Sequence, residues 1–150
     1  MKKTIAILSL LFLVNCISRN NEKYVLRDHH VILKAKFNKV DSYEGFLLYH
    51  FRNDSIEGVF ISNNDKNFKS PNYKKIKLNK KYTLILSKQI IASRRTVGEI
   101  DQTIITDKGV LIWKTGMKAK YFESCENIIA DKINPRFTLL KYIDPHPYHY

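Results

Sequence analysis

A chain of 150 residues with 44% hydrophobic and 27% charged side chains, five glycines and four prolines has the make-up of a folded globular protein, which excludes an intrinsically disordered one. Its length suits one core that buries most of the surface of the unfolded chain, and leaves no room for a second. The excess of 26 basic over 14 acidic residues, a formal charge of +12, is large for a small domain and directs attention to acidic proteins, anionic membranes and nucleic acids, between which charge alone does not choose.

At the start of the chain Lys2 and Lys3 precede an apolar run from Ile5 to Val14 relieved only by Ser9, the n-region and h-region of an export signal. At ~1.5 Å per helical residue the run reaches roughly 15 Å, half of a bilayer's hydrocarbon core, too short for a permanent transmembrane helix. It ends in Leu13-Val14-Asn15-Cys16, which resembles the lipobox of bacterial lipoproteins, although Asn15 stands where that family usually has Gly, Ala or Ser. The resemblance is confined to residues 1–16. It implies cleavage before Cys16, diacylglycerol on its thiol and acylation of its new amino group. Several buried acyl chains at ~0.8 kcal/mol per CH₂ anchor a protein stably. In the family, Asp after the cysteine favours the inner membrane. Ile17 and Ser18 follow here, so the resemblance points to the outer membrane, periplasmic or surface-facing.

After residues 1–15 as signal, residues 16–23 are expected to be the lipidated cysteine and a polar tether, followed by a single β-rich domain over 24–150. Lipidation of Cys16 would leave Cys125 as the sole thiol of a chain with two cysteines, so no internal disulfide forms. An exported lipoprotein rarely meets nucleic acid. A polybasic stretch near a membrane, by contrast, gains about 1 kcal/mol per Lys from anionic head groups.

The first patterned segment places Val31, Leu33, Ala35 and Phe37 on one face and Lys34 and Lys36 on the other, which predicts a half-buried strand. Phe46 to Phe51 and Ile56 to Ile61 flank Arg52-Asn53-Asp54-Ser55 and read as a hairpin. Asn63 to Asn72 is a polar loop. Ile76 and Leu78 then lead into Tyr82, Leu84 and Leu86, the clearest period of two in the chain. Ile90 to Asp101 reads as a loop, since Ser93-Arg94-Arg95 and Gly98 break any pattern across it. Thr103 to Thr106 and Val110 to Trp113 flank Asp107-Lys108-Gly109, a second hairpin with Gly where the turn needs a positive φ. After Gly116 the spacing of Tyr121 or Phe122, Cys125, Ile128 or Ile129, and Lys132 predicts a short helix stopped by Asn134-Pro135. Phe137 to Ile143 returns to a strand before Asp144-Pro145-His146-Pro147. The expected fold is mainly β: a small antiparallel barrel, OB-like, or a strongly curved sheet with one late α-helix. A long first strand, a hairpin and a lysine-rich approach to a fourth strand resemble, in that order, small lipoproteins with OB-like domains.

The densest charge is Lys69, Lys74, Lys75, Lys77, Lys80 and Lys81, with Tyr73 and Tyr82 among them. These eight residues form the candidate surface for an anion or an acidic partner, with cation–π and stacking capacity in the tyrosines. A solvated lysine-rich loop and strand edge, protected against edge pairing, gives the same pattern without a partner.

Other chemistry is poorly supplied. Cys125 lies between Glu123 and Glu126, carboxylates that raise a thiol pKa, and reads as a small apolar core residue rather than a nucleophile. Five histidines include the pair His29-His30 and the tail pair His146 and His149 beside Tyr148 and Tyr150. Vicinal side chains on a strand point apart, and structural zinc wants four ligands, so no metal is expected. Glu99 with Asp101 and Asp54 with Glu57 are carboxylate pairs by spacing alone, without surroundings that would raise one pKa. Trp113 and the tyrosines and phenylalanines fall mostly on apolar faces and read as packing. There is no glycine-rich phosphate loop, serine elbow or His-Glu-x-x-His helix, and no cofactor is expected. The sequence therefore predicts a non-enzymatic, lipid-anchored envelope protein that binds another macromolecule or belongs to an assembly. Two alternatives are an immunity or inhibitor protein gripping an acidic partner through its lysines, and a hydrolase or redox enzyme using Cys125 or a histidine cluster.

Overall fold

A computed structural model describes residues 21–88 and 102–141. The export signal, Cys16, the Ile90 to Asp101 segment with Glu99, and the tail carrying His146, Tyr148, His149 and Tyr150 lie outside the described residues.

Wherever the chain alternates, it forms strands. β1 (Glu22–Leu26) precedes the long β2 (His30–Ser42); β3 (Phe46–Arg52) and β4 (Glu57–Asn63) make the first hairpin; β5 (Lys74–Lys75) is a brief pairing ahead of β6 (Lys81–Ser87). β7 (Thr103–Ile105) and β8 (Leu111–Lys114) make the second hairpin, with Gly109 at φ 78° in its turn as expected. Four two-residue strands follow, β9 (Lys120–Tyr121), β10 (Ser124–Cys125), β11 (Ile128–Ile129) and β12 (Lys132–Ile133), and the last is β13 (Phe137–Lys141).

Six strands form one sheet in the order β10-β6-β2-β3-β4-β9, antiparallel except where β4 meets β9. The sheet is strongly curled into a half-barrel. A bulge at Asn38, between the Phe37 and Lys39 pairings of β2 with β3, increases local twist.

The concave face is the core. Ala35, Phe37, Tyr49, Phe51, Phe60, Leu84 and Leu86 alternate inward and meet Phe122, Cys125, Ile128 and Ile133 from the later strands. Gly58 lies directly across from Phe51, whose ring occupies the space a Cβ would need. The convex face is half covered: Leu48, Val59 and Ile112 are buried where the β7–β8 hairpin lies over β3 and β4. Trp113 belongs to that packing and donates from Nε1 to the Ala119 carbonyl at 2.6 Å.

One expectation needs correction. The described part of the late segment contains strands and no helix. Strands begin at 120, 124, 128 and 132, so a strand-turn unit recurs every four residues and places Tyr121, Cys125, Ile129 and Ile133 at a spacing that mimics helix. Buried asparagines hold this ladder extended. Asn127 accepts from the backbone N–H of Ile85 and donates to the carbonyls of Thr83 and Asn134, side-chain bonds of the kind that compete with helix. At the start, β1 takes in Glu22 and Lys23, just ahead of Tyr24. They pair with Phe137 and Thr138 of β13, and the Glu22 carboxylate accepts from Asn134 Nδ2 at 2.8 Å.

Candidate anion-binding groove

The lysine-rich stretch is built around an edge. β5 pairs only with β12, setting Lys75 across from Lys132 and Lys74 across from Ile133, and Ile76 N–H continues the contact to the Asp131 carbonyl at 2.9 Å. The chain then turns through Asn79, held at φ 61° and donating its N–H to the Phe37 carbonyl at 2.8 Å. Asparagine tolerates this left-handed conformation better than other side chains. Tyr82 closes the loop from the far side, since its hydroxyl accepts the Lys77 N–H at 2.9 Å. Lys80 Nζ lies 5.7 Å from the centre of the same ring, within cation–π range.

These turns enclose a groove of about 440 Å³ whose charged lining is Lys74, Lys75, Lys77, Lys80 and Arg136, with Tyr82, Ile133 and Pro135 as the uncharged remainder. Among the described residues no carboxylate lines it. Lys75 reaches Asp131 at 3.7 Å, an exposed pair worth little in water. Among the described residues Lys74, Lys77, Lys80 and Arg136 make no ion pair. Like charges sharing one cleft within a Debye length of about 8 Å add their potentials, and the apolar floor strengthens the field.

Five of the eight candidate residues, Lys74, Lys75, Lys77, Lys80 and Tyr82, therefore converge, and three do not. Lys69 is exposed on the preceding loop. Tyr73 turns to the other side, with its hydroxyl 3.1 Å from that of Tyr24 and its ring against Phe68. Lys81 belongs to the convex face, beside Lys36. The expected platform of two tyrosines among lysines is thus split: Tyr73 precedes β5 and packs toward Tyr24 and Phe68, and Lys81 parts from Tyr82 because successive strand residues point to opposite faces. Arg136 was not anticipated. Buried Asn134 places it, accepting the Arg136 N–H on Oδ1 at 3.1 Å. The only trace of this in the sequence is Asn134-Pro135, which also marks a simple stop.

Cys125 is 5% exposed in the core. Burial pushes its thiol well above the ordinary range, and the thiol donates to Asn127 Oδ1 at 3.3 Å. His29 and His30 depart from the expected geometry. His29 falls in the turn closed by the His30 N–H to Arg27 carbonyl bond, and the rings approach to 4.3 Å instead of pointing apart. They face Glu126 across a shallow depression. Burial lowers the pKa of His30, with the charges of His29 and Arg27 acting the same way. No group of three potential metal ligands occurs among the described residues. Asp54 and Glu57 line one cavity, but Glu57 is held by Lys118 Nζ at 2.9 Å.

An arrangement the sequence did not suggest is Lys39, Asp41 and His50. Asp41 Oδ2 lies 2.7 Å from Lys39 Nζ and 3.1 Å from His50 Nε2. The hydrogen bond from Lys39 is the main cause of the lowered Asp41 pKa. No hydroxyl or thiol among the described residues hydrogen-bonds to His50.

No protein-family model matches this chain, and neither a curated protein nor a solved structure matches it.

Proposed function

We propose that the protein is an exported lipoprotein, held on the outer membrane by lipid on Cys16, whose OB-like half-barrel binds an acidic partner without catalysing a reaction. The observation that carries the binding is the groove, where four lysines and Arg136 share one cleft that no carboxylate among the described residues lines. It suits an acidic protein segment, because Tyr82 and Pro135 beside the cations offer uncharged surface to a peptide as well as charge to its carboxylates. The same groove supports an immunity or inhibitor role as the specific form of that binding. The buried Cys125 thiol supports no thiol chemistry.

Two measurements test the reading. Cys16→Ala should move the protein from the membrane to the soluble fraction, and mass spectrometry of the native protein should find an acylated Cys16 as its first residue. An intact Met1 would refute the anchor. Lys74→Glu, Lys77→Glu and Lys80→Glu combined should abolish salt-sensitive binding of oligoglutamate by the purified protein. Undiminished binding by that variant would remove the groove.

A further inference from the structure

The convex face carries a second cluster of cations, unconnected with the groove. Strand order and register set Lys81 of β6, Lys36 of β2 and Arg52 of β3 directly beside one another, and Glu57 of β4 ends the row. Registered partners on neighbouring strands project from the same face, their roots about 5 Å apart. Lys34 stands two residues along β2 on that face. These side chains line a cavity of about 490 Å³ walled by the Asn53-Asp54-Ser55 turn of the β3–β4 hairpin.

Like charges set opposite each other in a sheet repel, and opposite charges are the stabilising choice. Here three adjacent positions carry the same sign, and among the described residues Lys34, Lys36, Arg52 and Lys81 make no ion pair. Glu57, across from Arg52, directs its ion pair to Lys118 at 2.9 Å rather than to the row. The register also fixes which anion suits the row. Same-side acidic residues of an extended peptide lie roughly 6.8 Å apart, wider than the cation spacing. Consecutive phosphates pack charge more densely, and the Arg52 guanidinium is suited to grip one with two parallel hydrogen bonds.

We infer that the Lys81-Lys36-Arg52 row, with Lys34 beside it, is a binding site for a free, multiply charged phosphate anion. A bilayer is the poorer occupant. The hairpin turn walls the cavity and would hold a flat bilayer surface away from the row, whereas a small anion can enter.

Calorimetric titration of the purified protein with inorganic tripolyphosphate at low ionic strength should show saturable binding, with amide shifts in nuclear magnetic resonance centred on β2, β3 and the start of β6. Lys36→Gln with Arg52→Gln removes two charge-assisted contacts and should weaken binding roughly tenfold or more. Lys66→Gln with Lys88→Gln, exposed lysines outside both the row and the groove, should leave it within about twofold. Both pairs keep long polar side chains at exposed positions, and thermal unfolding of each variant checks that the fold persists. Absence of saturable binding would overturn the site, as would equal loss in both variants. Recruitment to phosphatidate vesicles without tripolyphosphate binding would also overturn it, by assigning the row to a lipid surface. The groove reading survives any of these failures, because its own test uses oligoglutamate and different lysines.

Discussion

Asn127 has no solvent access, and its side chain is fully engaged. Oδ1 accepts from Ile85 N–H at 3.1 Å and from the Cys125 thiol at 3.3 Å, while Nδ2 donates to Thr83 and Asn134 carbonyls at 3.0 and 3.1 Å. One amide thus ties the turn after β10 to β6 and to the chain leaving β12. A buried polar group costs little when every partner is present and much when the partners are left stranded. Asn127→Leu keeps the branching and heavy-atom count of the side chain but strands the Ile85 N–H and two carbonyls, so urea denaturation should show a loss of about 3 kcal/mol. A loss below about 1 kcal/mol would mean that water or a local shift satisfies those groups.

Strand pairing explains why Gly58 is glycine. Its position across from Phe51 would bring an added Cβ to 2.3 Å from Phe51 Cζ, closer than any packing permits, so Gly58→Ala should destabilise by about 2 kcal/mol. In a Phe51→Ala background the obstruction is gone, and alanine's better strand entropy should make the same change stabilising by about 0.5 kcal/mol. A double-mutant cycle reads that reversal of sign directly, and additive effects would disprove the ring contact. The elements most legible in the sequence were those whose pattern is local: inward Val31 to Phe37, the Tyr82 to Leu86 alternation, and the Gly109 turn. The late helix was misread because a four-residue strand-turn repeat and a 3.6-residue helical turn place apolar side chains almost alike over three turns. Candidate sites were legible only where neighbours in sequence stayed neighbours in space. Lys74 to Lys80 wrap one edge and could be seen, whereas Arg136 and the Lys81-Lys36-Arg52 row depend on strand register, which a single sequence does not reveal.

The molecule carries a positive excess at neutral pH that grows as carboxylates protonate, so carboxylates that stay ionised matter to the whole. Glu126 is the clearest case. Its partial burial would raise its pKa, yet hydrogen bonds from Ser124 and Ser87, at 2.6 and 2.8 Å, and the nearby His30 and His29 hold it below the usual carboxylate value. Asp41 is lowered as well, chiefly by Lys39. His30 shifts in the same direction for the opposite reason, because burial disfavours its charged form. For all three the unfolded chain takes up its proton at higher pH than the folded one. Each therefore contributes stability that is complete above its ordinary pKa and is lost as pH falls through the folded value. The urea midpoint should hold steady near neutrality, decline as pH falls below about 6.5 through His30, and drop more steeply below about 4.5 as Glu126 and Asp41 protonate. The steep part should shrink in Glu126→Gln, which cannot gain a proton there, and in Ser87→Ala, which removes one donor to the carboxylate. A profile that rose on acidification, or kept its full steepness in both variants, would show that these groups do not govern acid unfolding.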